Sequence, residues 1–250
     1  MFYVMSHKAF DDRIVPKKGY KVLWLSKEMA PKQDYIRDAD YADNIADKNH
    51  HFSELSGYYW IWKNGKEKPD DFIGIVHYRT FFYWGFKKLS FSKACKLLKK
   101  YDIILPVKSS FAPMTVEEQY NKNHKAEDLQ KTRSIIGRLC PEYLPAFEKV
   151  LAENGMWIRD LMITPKQIFD EYCSWLFPIL DAIEEETDYS TYDGTYQERL
   201  PAFLAERLMN TWIVANADRL RIKQVLTLME DISTKLKIKM ILYHFLKGSR

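Results

Sequence analysis

The chain has 250 residues, of which 46% are hydrophobic and 29% charged, with nine glycines, ten prolines and a formal net charge of +4. This composition suits one globular domain or slightly more, and it excludes collagen-like and low-complexity architectures. Seven Trp and sixteen Tyr make either an aromatic core or a surface built for flat ligands such as sugars and nucleobases.

Phe2-Tyr3-Val4-Met5 is an apolar run that stops at Ser6-His7-Lys8, the pattern of a buried first strand delivering polar residues from its carboxyl end. Tyr20 to Leu25 predicts a second strand. Residues 31–51 are polar, rich in Asp, Asn and Lys and without periodicity, which predicts a long loop of functional character. Ser53 is placed as the N-cap of a helix that presents Leu55, Tyr58, Tyr59 and Trp62 at helical spacing and ends near Asn64-Gly65. Phe72-Ile73-Gly74-Ile75-Val76 is a continuous apolar run, as in a central strand buried on both faces, and it ends in His77-Tyr78-Arg79.

A helix from about Ser92 to Lys100 precedes a strand at 102–106. Helical patterns follow at 116–123, 127–139 and 142–154. A late strand is expected where Met156-Trp157-Ile158 and Leu161-Met162-Ile163 bracket Arg159-Asp160. Pro165 starts a long helix, residues 189–196 form a polar aromatic loop, and 201–216 is helical. Strands alternating with helices, followed by a helical half, predict an α/β architecture.

Charge is uneven. From Arg219 onward there are eight Lys/Arg against two acids, so a near-neutral body at 1–216 carries a basic, amphipathic helical tail at 217–250. In the tail Lys235, Lys237 and Lys239 alternate with Leu236, Ile238 and Met240, a pattern that fits either a helix docked on the body or an interfacial helix on an anionic leaflet. Cys95, Cys140 and Cys173 form no CxxC pair and fit a reducing cytosol. Neither a secretion signal nor a membrane-spanning segment is expected.

No GxGxxG, GxxxxGK[ST], HExxH or GxSxG motif is present, which removes the familiar dehydrogenase, P-loop and hydrolase chemistries. What remains is polar residues at strand ends. In open α/β sheets ligands bind beyond the carboxyl ends of the strands, so Ser6-His7-Lys8 and His77-Tyr78-Arg79 should converge on one crevice, with Asp160 nearby if its strand joins the sheet. One such strand end reads most simply as an ordinary polar edge. Two of them beside an Asp- and Lys-rich loop point to a site, and their cations suit a phosphate-bearing ligand.

Met5-Ser6-His7-Lys8, Asp43-Asn44-Ile45, Lys48-Asn49, Phe52-Ser53-Glu54-Leu55, residues 59–64 and Ile73 to Arg79 resemble one bacterial family. So do 102–106, Glu118-Gln119-Tyr120 with His124, Phe169 to Cys173 with Trp175 to Pro178, and Phe203 to Leu208. The family is the glycosyltransferase-like group catalogued as domain of unknown function 4422, found in capsular and exopolysaccharide clusters, with some members assigned as galactofuranosyltransferases. The resemblance covers roughly Phe2 to Val214.

It implies a GT-A-like (Rossmann-like) mixed sheet flanked by helices, with a largely helical C-terminal half. It further implies transfer of a sugar from a nucleoside-diphosphate donor, UDP-linked and of galactose or galactofuranose type, to a lipid-linked oligosaccharide. The donor would meet Ser6, His7, Lys8, Asp43, Asn44, Lys48, Asn49, His77, Tyr78, Arg79 and Arg207. The acceptor would meet Tyr189, Tyr192 and Tyr196. A base is needed at the acceptor hydroxyl and positive charge at the departing diphosphate. Asp160 and Glu206 are the candidates for the base, although Asp160 also reads as a plain strand-edge residue, and the family pattern carries Asn there. Adjacent helical residues point in different directions, so only one of Glu206 and Arg207 should reach the site.

His77-Tyr78-Arg79 stands where the GT-A pattern bears an Asp-x-Asp metal motif, and Asp70-Asp71 lies at the wrong end of its strand. No metal ligand is assigned, and a manganese or magnesium ion is expected to be dispensable or stimulatory. The expected partners are a nucleotide sugar, a lipid-linked glycan and an anionic membrane, with no nucleic acid, and the expected location is cytoplasmic, on the inner face of the plasma membrane. The alternative is a non-catalytic component that binds nucleotide sugar or glycan within a polysaccharide assembly complex.

Overall fold

The first strand, β1 (Phe2–Ser6), sits inside the main sheet and pairs in parallel with β2 (Tyr20–Trp24). From β2 the chain steps outward to the short β3 (Ile36–Arg37). It then returns through α1 (Asn49–Phe52) and α2 (Leu55–Asn64) to β4 (Phe72–His77), which pairs in parallel with the other side of β1. The direction of travel along the sheet therefore reverses at β1. Such a reversal opens a crevice beyond the carboxyl ends of the flanking strands, and this is what positions the site. The structure, a computed structural model, describes residues 1–192, 194 and 196–248.

β4 folds back as β5 (Thr80–Trp84), which forms a hairpin with β6 (Lys87–Lys88). α3 (Phe91–Leu98) leads to β7 (Ile103–Pro106). β8 (Ser109–Ser110), α4 (Val116–Asn123), α5 (Ala126–Leu139), α6 (Leu144–Ala152) and β9 (Gly155–Met156) follow, with β8 and β9 paired apart from the main sheet. β10 (Met162–Pro165) lies antiparallel between β4 and β7 and makes the sheet mixed. After α7 (Lys166–Glu185) and α8 (Leu200–Ala215) come β11 (Ile222–Val225), parallel to β7, then β12 (Thr227–Met229), antiparallel to β5, and finally α9 (Thr234–Gly248). The main path through the sheet runs β11-β7-β10-β4-β1-β2-β3.

Side chains of a strand alternate between its faces, and β1 divides accordingly. Tyr3 and Met5 enter the larger core against α2, α5, α7 and α8, while Phe2 and Val4 enter a second core on the opposite face with residues of α3 and β5. Phe2 stacks on Tyr20 at 4.3 Å between ring centroids and crosses so close to β4 that a Cβ on Gly74 would lie 2.3 Å from its ring. That close approach is why a glycine interrupts the apolar run of β4.

Several local expectations are corrected. Ser53 is not an N-cap: it takes a left-handed conformation (φ 50°) between α1 and α2, and its hydroxyl accepts a hydrogen bond from Arg199 instead. The stretch at 31–51 is not one loop but holds β3, short 3-10 turns and the start of α1. Arg159 and Asp160 interrupt the expected late strand with two consecutive left-handed residues (φ 70° and 45°).

The helical tail begins only at Thr234, not at 217, because Ile222–Val225 and Thr227–Met229 are strands of the main sheet that satisfy the backbone edges of β7 and β5. Residues 249 and 250 of the expected tail, and 193 and 195 of the aromatic loop, lie outside the described residues. Among the described residues no helix is long and apolar enough to cross a membrane.

Candidate active site

Beyond the carboxyl ends of β1, β2 and β4 lies a crevice of about 420 Å³. Ser6, His7 and Lys8 enter it from β1, His77, Tyr78 and Arg79 from β4, and Tyr196 and Glu206 from the segment leading into and along α8. The two strand ends expected to converge therefore do. Glu54, Arg159, Arg199, Phe203 and Met229 also line it. None of those five was assigned from sequence as a contact. Glu54 stands within the quoted Phe52-to-Leu55 motif and Arg159 adjoins Asp160, so both carried a signal. Arg199 carried none, because only the folding of α8 against the α1–α2 junction brings it here.

The two strand ends are braced by local contacts. Ser6 Oγ donates to the carbonyl of Lys8 at 2.6 Å, so this hydroxyl shapes the turn after β1. His7 meets the Tyr78 ring edge-on, and Lys8 and Arg79 approach the same ring at 5.7 and 5.6 Å.

The positive charge of the crevice comes from its Lys and Arg side chains and not from its histidines. Burial, reinforced by Arg159, pushes His77 down to about 4. Partial burial and the neighbouring Lys8 also lower His7. Near neutral pH both imidazoles are uncharged, and the positive field comes from Lys8, Arg79, Arg159 and Arg199.

The acidic side of the crevice is built on a strained turn. The backbone N–H of Arg159 donates to Glu206 Oε1 at 2.6 Å, and Arg207 Nη1 donates to Glu206 Oε2 at 3.2 Å. Arg207 itself is buried, held by the Phe203 carbonyl at 3.0 Å and by Gln119 Oε1 at 2.6 Å. It therefore orients Glu206 from behind and does not line the crevice, which departs from the donor contact expected of it. Only Glu206 of the adjacent pair faces the crevice.

Burial raises Glu206 above the ordinary carboxyl range, opposed by Arg207 and the Arg159 N–H. Glu54, raised in the same way, approaches His77 Nε2 at 3.9 Å. Two consecutive left-handed residues that are not glycine store backbone strain, and such strain concentrates at functional sites.

Asp160 does not reach the crevice. It is fully buried, neither carboxyl oxygen has a hydrogen-bond partner among the described residues, and the Tyr58 hydroxyl donates to its backbone carbonyl. Burial, and after it repulsion from Glu206 and Glu54, raises its carboxyl far above the ordinary value, so it is held in the neutral acid form. A group sealed from solvent cannot take a proton from an incoming hydroxyl, and its expected role as the base is corrected.

The long-loop residues also lie elsewhere. Asp43 accepts from the Tyr59 hydroxyl, Asn44 closes its own turn on Tyr41 and Ala46, and Lys48 reaches Asp181 on α7 at 3.3 Å. Asn49 donates to the Ser53 carbonyl and to Ser56 Oγ, bracing the junction that in turn holds Arg199. Of the three tyrosines, only Tyr196 lines the crevice. Tyr189 stacks on His51 and donates to Glu184, and Tyr192 donates to Asp128.

The GT-A pattern would place a divalent ion at the end of β4. The residues there do not fit one: His77, Tyr78 and Arg79 offer no carboxylate, and Asp70 and Asp71 line a different cavity at the opposite end of the strand. Among the described residues no three His, Cys, Asp or Glu side chains are grouped to hold a metal ion.

The profile of a family described as "Domain of unknown function (DUF4422)" matches residues 1–217. No curated protein matches the chain. In fold the chain is similar to the apo structure of the bifunctional glycosyltransferase WbbM, with a TM-score of 0.79 and 24% sequence identity over 92% of this chain and 45% of that one. The chain thus spans less than half the length of that structure.

Proposed function

The chain belongs to the DUF4422 family, and from that membership we propose that it is a glycosyltransferase acting through the crevice at the carboxyl ends of β1 and β4. The observation that carries the reading is that one crevice gathers four cations, Lys8, Arg79, Arg159 and Arg199, with a carboxyl, Glu206, whose two oxygens are fixed by the Arg159 N–H and by Arg207. The likeness in fold to WbbM supports the same reading.

In this reading the cations hold the diphosphate of a nucleotide sugar. As the bond from the anomeric carbon to the diphosphate oxygen breaks, negative charge gathers on the leaving group, and fixed cations stabilise it without reorganising. Glu206 takes the proton of the acceptor hydroxyl as its oxygen bonds to the anomeric carbon. A carboxyl raised by burial is better matched to that task near neutral pH than an ordinary one. Arg207 and the Arg159 N–H hold its two oxygens in place.

The donor is a uridine-diphosphate sugar of galactose or galactofuranose type, and the acceptor is a lipid-linked oligosaccharide of a surface polysaccharide. No step passes through a metal ion. The test is incubation with a panel of uridine-diphosphate sugars, with and without lipid-linked acceptor, following release of uridine diphosphate. Release that Glu206→Gln abolishes supports the enzyme. Tight donor binding with no release under any condition would instead make the chain a binding component of a polysaccharide assembly complex.

A further inference from the structure

α9 contacts the rest of the protein along a narrow line. Ile241 is buried beneath it, with Lys237 and His244 partly covered one turn to either side, which is the inner stripe of a single helix face. Leu236, Leu242 and Leu246 remain exposed, Leu246 by 76%. Beside the helix, the β5–β6 hairpin projects Trp84 and Phe86, the latter 60% exposed. The two elements adjoin: a Cβ placed on Gly85 would lie 3.9 Å from the Phe245 ring. Between α9 and the sheet edge runs a cleft of about 530 Å³ with Tyr83, Tyr101, Leu226 and Ile241 in its walls.

The charge on the helix itself has one sign, and the acids Glu230 and Asp231 stand at its foot, towards the crevice. From Thr234 to Leu246 the sequence contains no Asp or Glu and carries Lys235, Lys237 and Lys239, of which Lys237 pairs with Glu230. Lys235 and Lys239 are exposed among the leucines, and Lys93 lies 4.1 Å over the Trp84 ring. Lysines with long apolar stems interleaved with leucine, and aromatic rings at the rim, suit a boundary that is oily within and negatively charged at its surface.

We propose that α9 and the tip of the β5–β6 hairpin together form a docking surface for an anionic lipid bilayer. The surface is joined to the crevice mouth. The N–H of Glu230, four residues before α9, donates to the Arg79 carbonyl at 2.7 Å, and Asp231 approaches the Arg79 guanidinium at 3.9 Å. Docking would hold the crevice at a fixed height above the headgroups. The inference does not depend on which reaction the crevice performs.

The test is co-sedimentation of the full chain with vesicles of phosphatidylglycerol and phosphatidylcholine, against vesicles of phosphatidylcholine alone, at low and high salt. Binding to the anionic vesicles at low salt, at least about tenfold weaker to neutral vesicles and reduced by salt, is the expected result. Leu242→Glu with Leu246→Glu should abolish it, and Trp84→Ser with Phe86→Ser should weaken it severalfold, both with an unchanged thermal midpoint because the altered side chains are exposed. Lys235→Glu with Lys239→Glu provides a second arm that leaves the apolar groups intact. Absence of binding to anionic vesicles at low salt, or equal binding by every variant, would overturn the proposal. So would a dimer in solution that Leu242→Glu with Leu246→Glu dissociates, because the face would then belong to a second copy of the chain.

Discussion

The backbone N–H of Arg159 and Oε1 of Glu206 lie 2.6 Å apart, a hydrogen bond that ties the left-handed turn below the crevice to the helix carrying the carboxyl. A glutamine side chain keeps an acceptor oxygen for that bond and loses the ability to take a proton. Glu206→Gln should therefore lower turnover by at least about 100-fold, within the range general-base removal produces. Donor affinity should stay within about threefold. Calorimetry beside a turnover assay checks both, and unchanged turnover would remove Glu206 from the chemistry.

Asp160→Asn should leave turnover within about threefold, since the side chain is sealed from the crevice. Its effect should fall on stability. A carboxyl whose pKa is raised by folding adds stability at acid pH and loses it as pH rises through the folded value. The amide cannot ionise and tolerates the left-handed backbone at least as well. The variant should gain on the parent as pH rises, and urea unfolding at about pH 5 and about pH 8 measures the difference. A variant that loses ground to the parent as pH rises would contradict the neutral acid form.

His77 works in the opposite direction. Its folded pKa of about 4 lies below the ordinary histidine value of 6.5, so the unfolded chain binds the extra proton first. The contribution is present above about pH 6.5 and fades as pH falls towards 4, by at most about 3 kcal/mol. His77→Gln should flatten the acid side of the stability profile. A profile identical to the parent's would show that the imidazole is not depressed.

Arg79→Ala should weaken nucleotide-sugar binding about tenfold, equivalent to roughly 1.4 kcal/mol. The guanidinium is half exposed and its ion pair with Asp231 is long, so it is available to a phosphate. Unchanged affinity would move the diphosphate towards Arg159 and Arg199.

Transfer should persist in the presence of a chelator, because the end of β4 offers an imidazole, a phenol and a guanidinium where a divalent ion needs carboxylates. Full loss in EDTA with recovery on adding manganese would require a metal held by residues other than these.

The main strands and helices were readable because their signals are local. Continuous apolar runs at Phe2 and Phe72 marked strands buried on both faces, and the polar residues ending them marked one rim of a crevice. The other rim was readable only in part, through Glu206 and Tyr196. Arg199 arrives from far along the chain, and Asp160 looks like a strand-end carboxylate until the turn at Arg159 and Asp160 rotates it inward. The Asp43-to-Asn49 residues misled because a polar loop was equated with a ligand loop, whereas their side chains close turns and brace helices. The short strands after α8 were hidden in a basic segment whose edge positions tolerate Lys223 and Gln224.

Those late strands bear on how the protein emerges from the ribosome. β11 is made more than a hundred residues after β7, the strand whose outer edge it covers. Until it arrives, β7 presents bare backbone amides and carbonyls to any neighbouring nascent chain, a known invitation to edge-to-edge aggregation. A polypeptide released at residue 217, where the family profile ends, would keep that edge open permanently. Expression trials that trim the gene to the family boundary should thus yield inclusion bodies, while those that extend past Met229 should recover dispersed protein.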